Sequence, residues 1–159
     1  MADAIAHELL ALPREPPNDP RWSDIEKRMG LSFPAPFKHI AERYGDRPWN
    51  DFACILNPLS SGYEDRVERI LAADRASRDE FPEHYLFPLY PESHGLFPWA
   101  TTDNGDTLFW VRLHPRWPTL IRGPRAPEFE VNFSSCELVL YQIAAGTIRS
   151  RVLPDLRDP

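Results

Sequence analysis

Two carboxylates three residues apart, Asp103 and Asp106, bracket an Asn104-Gly105 pair in the stretch "PWATTDNGDTLFWV" (98–111). Such a pair can work as general acid and base when its surroundings push the two pKa values apart, or can help hold a hard cation when enough oxygens join it. Of the histidines at 7, 39, 84, 94 and 114, His94 in "PESHGLFPW" is the one flanked by turn residues near this stretch. It is therefore the candidate titrating group of a hydrolase built on Asp103, Asp106 and His94. Against that chemistry, the stretch lacks the D-x-D-x-D-G spacing of a calcium loop, and the chain has no H-E-x-x-H, no Gly-x-Ser-x-Gly and no clustered glycines to cradle phosphate. Cys54 and Cys136 have neither CxxC nor His-paired spacing and read as buried reduced thiols, so no zinc site and no cofactor are expected. The competing account of the carboxylates is a hairpin: Asn-Gly is the strongest short signal for a two-residue type I′ turn, in which both central residues take positive φ and nearby carboxylates bond turn amides.

The elements that must position this stretch follow from apolar spacing. Ile5, Leu9 and Leu10 share a helical face, and "PREPPNDP" (13–20) then forces an extended, solvated connector. In "WSDIEKRMG", Trp22, Ile25 and Met29 fall at helical spacing, Ser23 and Glu26 form an S-x-x-E capping box, and Gly30 supplies the stop. "PAPFKHIAERYG" predicts a second helix with Phe37, Ile40, Ala41 and Tyr44 inward and Gly45 at its end. "FACILNP" (52–58) reads as a buried strand. Ser61 and Glu64 then open a helix with Tyr63, Val67, Ile70 and Leu71 facing the core, and Glu64, Asp65, Glu68, Asp74 and Asp79 facing water. Short extended segments and turns fill 81–99. After the turn, Leu108 and Trp110 alternate with Phe109, Val111 and Leu113, a strand apolar on both faces. "TLIRG" (119–123) and "EFEVNF" (128–133) continue an antiparallel meander, and Ser134 and Glu137 cap a last helix that Gly146 stops.

Composition narrows the class. A chain of 159 residues with 42% hydrophobic residues suffices for one unstapled core, while 18 prolines are too many for a helical bundle, so an α+β domain is expected. No run approaches the ~20 apolar residues of a membrane helix, and the first residues show neither a basic leader nor a cleavage site, which predicts a cytoplasmic protein without a membrane partner. Residues 42–106 hold 13 acids and 6 bases, more than the whole net charge of -6. That balance argues against direct nucleic-acid binding and permits a basic protein partner.

In order along the chain, "WSDIEKRMG", "FPAPFKHIAERYG", "ILNP", "LFPWATTDNGDTLFWV" and "FEVNFSSCELVLYQIAAGTI" resemble the SUKH superfamily, bacterial immunity proteins related to a fungal cell-wall-assembly regulator. The most telling part is Trp99 followed by Asp103-Asn104-Gly105-Asp106 and Trp110, similar to the family's aromatic and Asn-Gly-Asp hairpin. The resemblance spans roughly residues 20 to 150. It implies a SUKH-like domain over 21–159 behind an N-terminal helix and connector over 1–20, with a single mixed, mostly antiparallel sheet packed against several helices. It also implies a binder without catalysis of its own, which neutralises a cognate polymorphic toxin, many of which are nucleases. The alternative within the same fold is a regulatory scaffold with an endogenous partner. The N-terminal helix and the Arg- and Pro-rich stretch "HPRWPTLIRGPRAP" (114–127) depart from the family pattern. For the contact surface the sequence offers the acidic residues Glu64, Asp65, Glu68 and Asp74, and aromatic loops around Trp49, Trp99 and Trp117.

Overall fold

The computed structural model describes residues 2–124 and 128–157; residues 125–127, which end the Arg- and Pro-rich stretch, lie outside it with Met1 and residues 158–159. Its helices are α1 (Ala2–Leu10), α2 (Arg21–Met29), α3 (Ala35–Tyr44), α4 (Tyr63–Glu80) and α5 (Cys136–Ala144). Its strands are β1 (Ala53–Ile55), β2 (Phe97–Thr102), β3 (Thr107–Trp110), β4 (Thr119–Arg122) and β5 (Phe129–Asn132), joined in the order β1-β2-β3-β4-β5. The α+β expectation holds. All four strand pairings are antiparallel rather than mixed, and the one parallel bridge among the described residues, between Leu89 and Leu96, lies outside the named strands. No helix among the described residues is long and apolar enough to cross a membrane.

The apolar alternation of β3 becomes a sheet covered on both faces. Leu108 and Trp110 enter the larger core with residues of α1 to α5, while Phe109 and Val111 join Leu120, Leu89 and Leu96 in a second core beneath residues 85–96. The larger core is an aromatic lattice. Phe37 of α3 meets Trp110 edge-on at 4.9 Å between ring centroids, and Trp110 stacks between Phe97 and Trp99, 6.1 Å from each. A register shift between Pro98 and Ala100 places Trp99 at a bulge in β2.

Helix existence follows the spacing, but helix starts do not follow the capping boxes. α2 begins at Arg21, where the Asp19 carboxylate accepts the Arg21 N–H at 2.9 Å, and Glu26 instead accepts the Phe33 N–H and pairs with Lys38. α4 starts after Gly62 and α5 after Ser135, neither with a side-chain cap. Glycines at 30, 45 and 146 do follow the helices α2, α3 and α5 with positive φ. α1 packs through Leu9 into the larger core beside α5, whereas Leu10, expected on the same face, is 52% exposed. The connector after it is mostly exposed and is tied by the His39 Nε2 contact to the Glu15 carbonyl at 2.7 Å.

Candidate functional site

The hairpin between β2 and β3 is built on Thr102 and Asp106. Thr102 N–H donates to the Asp106 carbonyl at 3.0 Å, Gly105 N–H donates to the Thr102 carbonyl at 2.9 Å, and positive φ occurs at Gly105 (86°) but not at Asn104. The turn is therefore a three-residue connection, Asp103-Asn104-Gly105, with glycine at the left-handed position, and the two-residue type I′ expectation is corrected. The side chains close a second ring. Thr102 Oγ1 donates to Asp106 Oδ2 at 2.6 Å, while Asp106 N–H donates back to Thr102 Oγ1 at 3.2 Å. The Asp106 carboxylate thus bonds a hydroxyl rather than the expected turn amide.

This arrangement separates the three groups of the hydrolase reading. Asp106 is buried, Asp103 is exposed with its N–H donating to the Phe52 carbonyl, and His94 sits exposed on the loop before the far end of β2. A six-residue strand lies between His94 and the turn, about 20 Å at ~3.3 Å per residue. Asp103, Asp106 and His94 do not converge on one substrate, and the described residues contain no group of three or more His, Cys, Asp or Glu placed to share a metal ion. Both cysteines are free thiols; burial raises the pKa of each, furthest at the fully enclosed Cys136.

The acidic surface expected along α4 is largely compensated. Glu64 meets Arg28 at 2.8 Å and Glu68 pairs with Arg75, leaving Asp65, Asp79 and Glu80 as exposed carboxylates of α4 without an ion-pair partner among the described residues. Asp74 departs furthest from its expected position: its side chain, 15% exposed, turns inward to Arg122 of β4, with Arg122 Nη1 3.1 Å from Asp74 Oδ1. The aromatic loops are corrected too. Trp49 is 2% exposed, packed edge-on against Tyr44 at 5.1 Å, and Trp99 is wholly enclosed, so neither is available to a partner. Trp117 is half-buried against Trp110 and holds a positive φ of 47°, unusual for so bulky a residue.

The inward turn of Asp74 belongs to a cavity of about 560 Å³ between α4, the segment that follows it and the second face of the sheet. Phe109 and Arg122 line it from the sheet, Asp74 and Ser77 from α4, and Phe81, His84 and Tyr85 from the segment after α4. The Arg122 guanidinium lies 4.4 Å from the Tyr85 ring centroid and 5.5 Å from that of Phe109, so two aromatic groups fix its position. Tyr85 donates its hydroxyl to Asp74 Oδ1 at 3.0 Å, and burial raises the phenol above its ordinary pKa. Sequence reasoning passed over Arg122, Tyr85 and Ser77, and weighed His84 only as one of five histidines before preferring His94. The available signal was Arg122 itself, a charge at the period-two position that continues the buried Leu120 face of a strand. No family model, no curated protein and no solved structure matches this chain.

Proposed function

We propose that the chain is a cytoplasmic immunity-type protein that neutralises a cognate toxin by binding it directly. One observation carries this reading. The ordered elements on which the SUKH resemblance rests are all present: α2, α3 ending at Tyr44-Gly45, β1 leading into Asn57-Pro58, the Trp99 to Trp110 hairpin and the last helix α5. The separation of Asp103, Asp106 and His94 also leaves the hydrolase alternative without an assembled catalytic group.

The carboxylates proposed to meet a basic toxin are Asp65, Asp79 and Glu80, exposed and without ion-pair partners among the described residues, rather than Glu64, Glu68 and Asp74. Exposed charges of this kind accelerate encounter more than they strengthen the final complex. Co-expression with the product of the neighbouring gene tests the proposal. A stable complex in which the toxin's activity is lost is expected. Replacing Asp65, Asp79 and Glu80 together by Lys should slow association at low salt with little effect on dissociation. A neighbouring product that neither binds nor is inhibited would overturn the immunity reading in favour of a regulatory scaffold with an endogenous partner.

A further inference from the structure

The cavity beside α4 has the construction of a ligand site. Its volume, about 560 Å³, falls within the ~300–1,000 Å³ typical of small-molecule pockets. Its walls combine the aromatic rings of Phe81 and Tyr85 and the Ile70 side chain with a few convergent polar groups. Phe81 is 43% exposed and stacked on His84, 5.4 Å between centroids and 16° between planes, so a broad aromatic face stands at the rim.

The polar groups define what would fit. Arg122 is 92% buried, being 8% exposed, yet it uses only Nη1 among the described residues. Asp74 Oδ1 accepts both Nη1 of Arg122 and the Tyr85 hydroxyl, while Asp74 Oδ2 accepts nothing among the described residues. None of these unused atoms is among the fully enclosed unpartnered ones, so each keeps some access to solvent among the described residues. A donor and an acceptor therefore stand on adjacent side chains of one fixed pair, with the Ser77 hydroxyl nearby.

Charge decides between an anion and a neutral guest. Arg122 is balanced by Asp74, and no other carboxylate or guanidinium lines the cavity among the described residues. A ligand carboxylate or phosphate would stand against the Asp74 carboxylate as well as the Arg122 guanidinium, whereas a neutral guest can donate to the one and accept from the other. We infer that the cavity binds a neutral, planar heterocycle of the free nucleobase class that carries a hydrogen-bond donor beside an acceptor, this donor–acceptor edge on Asp74 and Arg122 and its ring face against the aromatic walls. This site is separate from the toxin-binding reading and does not depend on it.

Titration with uracil, adenine and nicotinamide, followed by backbone amide NMR shifts, tests the inference; benzoate and a single-stranded oligonucleotide serve as the competing arms. At least one of the three neutral probes should shift residues 73–85 and 105–109, and bind more tightly than benzoate or the oligonucleotide. Ala73 is exposed on α4 and lines the cavity, so Ala73→Trp fills the space without opening the core; it should weaken that probe by about tenfold or more with unchanged circular dichroism. Asp74→Asn, which keeps the shape but adds a donor, should change the order of preference among the probes. No shift from any neutral probe, tighter binding of benzoate or the oligonucleotide, or shifts that survive Ala73→Trp would each overturn the inference.

Discussion

Removing either member of the Asp74–Arg122 pair should cost far more than removing both. Arg122 Nη1 lies 3.1 Å from Asp74 Oδ1, with side chains 9% and 15% exposed. At an effective dielectric constant of ~20 the gross attraction at that distance is about 5 kcal/mol, which the desolvation of two charges largely offsets. Truncating one partner leaves the other charge uncompensated. That costs about 3–5 kcal/mol in a sealed interior, and the open cavity lowers the expectation here to about 2–3 kcal/mol for Asp74→Leu. Arg122→Met should cost about as much, since Met keeps some packing against Tyr85 and Phe109 while the cation over their rings is lost. The double variant removes both charges and should cost no more than about 1 kcal/mol against about 4–6 kcal/mol for the two single losses added, a coupling of about 3–5 kcal/mol. Urea unfolding reads these as shifts of about 1 M or more in midpoint for the single variants, at an unchanged slope of ~2 kcal/mol/M. Single variants that each cost under about 0.5 kcal/mol, or a double variant equal to their sum, would mean that the pair behaves as a surface ion pair and that the cavity is not built around it.

Three further outcomes follow from local geometry. Gly146→Ala should destabilise more than Gly105→Ala in thermal unfolding: both demand positive φ, at about 1–2 kcal/mol, but a Cβ at Gly146 would stand 2.9 Å from the Leu156 carbonyl oxygen whereas one at Gly105 meets only the Pro124 side chain at 3.4 Å. Cys136 should resist iodoacetamide in the folded protein and react on denaturation, because burial raises its thiol pKa; alkylation of Cys136 at the rate of a free thiol in native buffer would contradict its enclosure. Arg78 and the Leu89 N–H hold the Glu92 carboxyl below its ordinary 4.5, so this contribution to stability is complete above 4.5 and is lost as pH falls through the depressed value. Glu92→Gln should flatten that acid limb, and an unchanged acid profile would show that the two contacts contribute nothing.

What the sequence made legible was set by short-range physics. The Trp22-Ile25-Met29 stripe, the glycine after α2 and the double-sided alternation of β3 each reflect spacing that survives any tertiary context, and all three appear in the fold. The capping boxes did not survive, because an S-x-x-E pattern competes with every other acceptor a helix start can find. At α2 the Asp19 carboxylate takes that place, and Glu26 is drawn to Lys38 and the Phe33 N–H. Trp49 sits in a connecting stretch with no periodic context; its burial comes from Tyr44 and from its bridge to Ala53, which spacing does not report.

Asp74 shows how a charge can mislead where the periodicity does not. Val67, Ile70, Leu71 and Asp74 stand at i, i+3, i+4 and i+7, so the helical repeat alone carries Asp74 onto the buried stripe. Assigning it to water followed the general rule that carboxylates avoid the interior, a rule that fails when a cation is buried opposite. That cation is Arg122, 48 residues away along the chain, itself placed inward by the two-residue repeat that buries Leu120. Two periodicities, each readable alone, point a carboxylate and a guanidinium toward the same face of the sheet. Only the tertiary packing of α4 over that face puts them at hydrogen-bond distance, and it is this long-range step that turns two apparent pattern violations into the polar wall of a cavity.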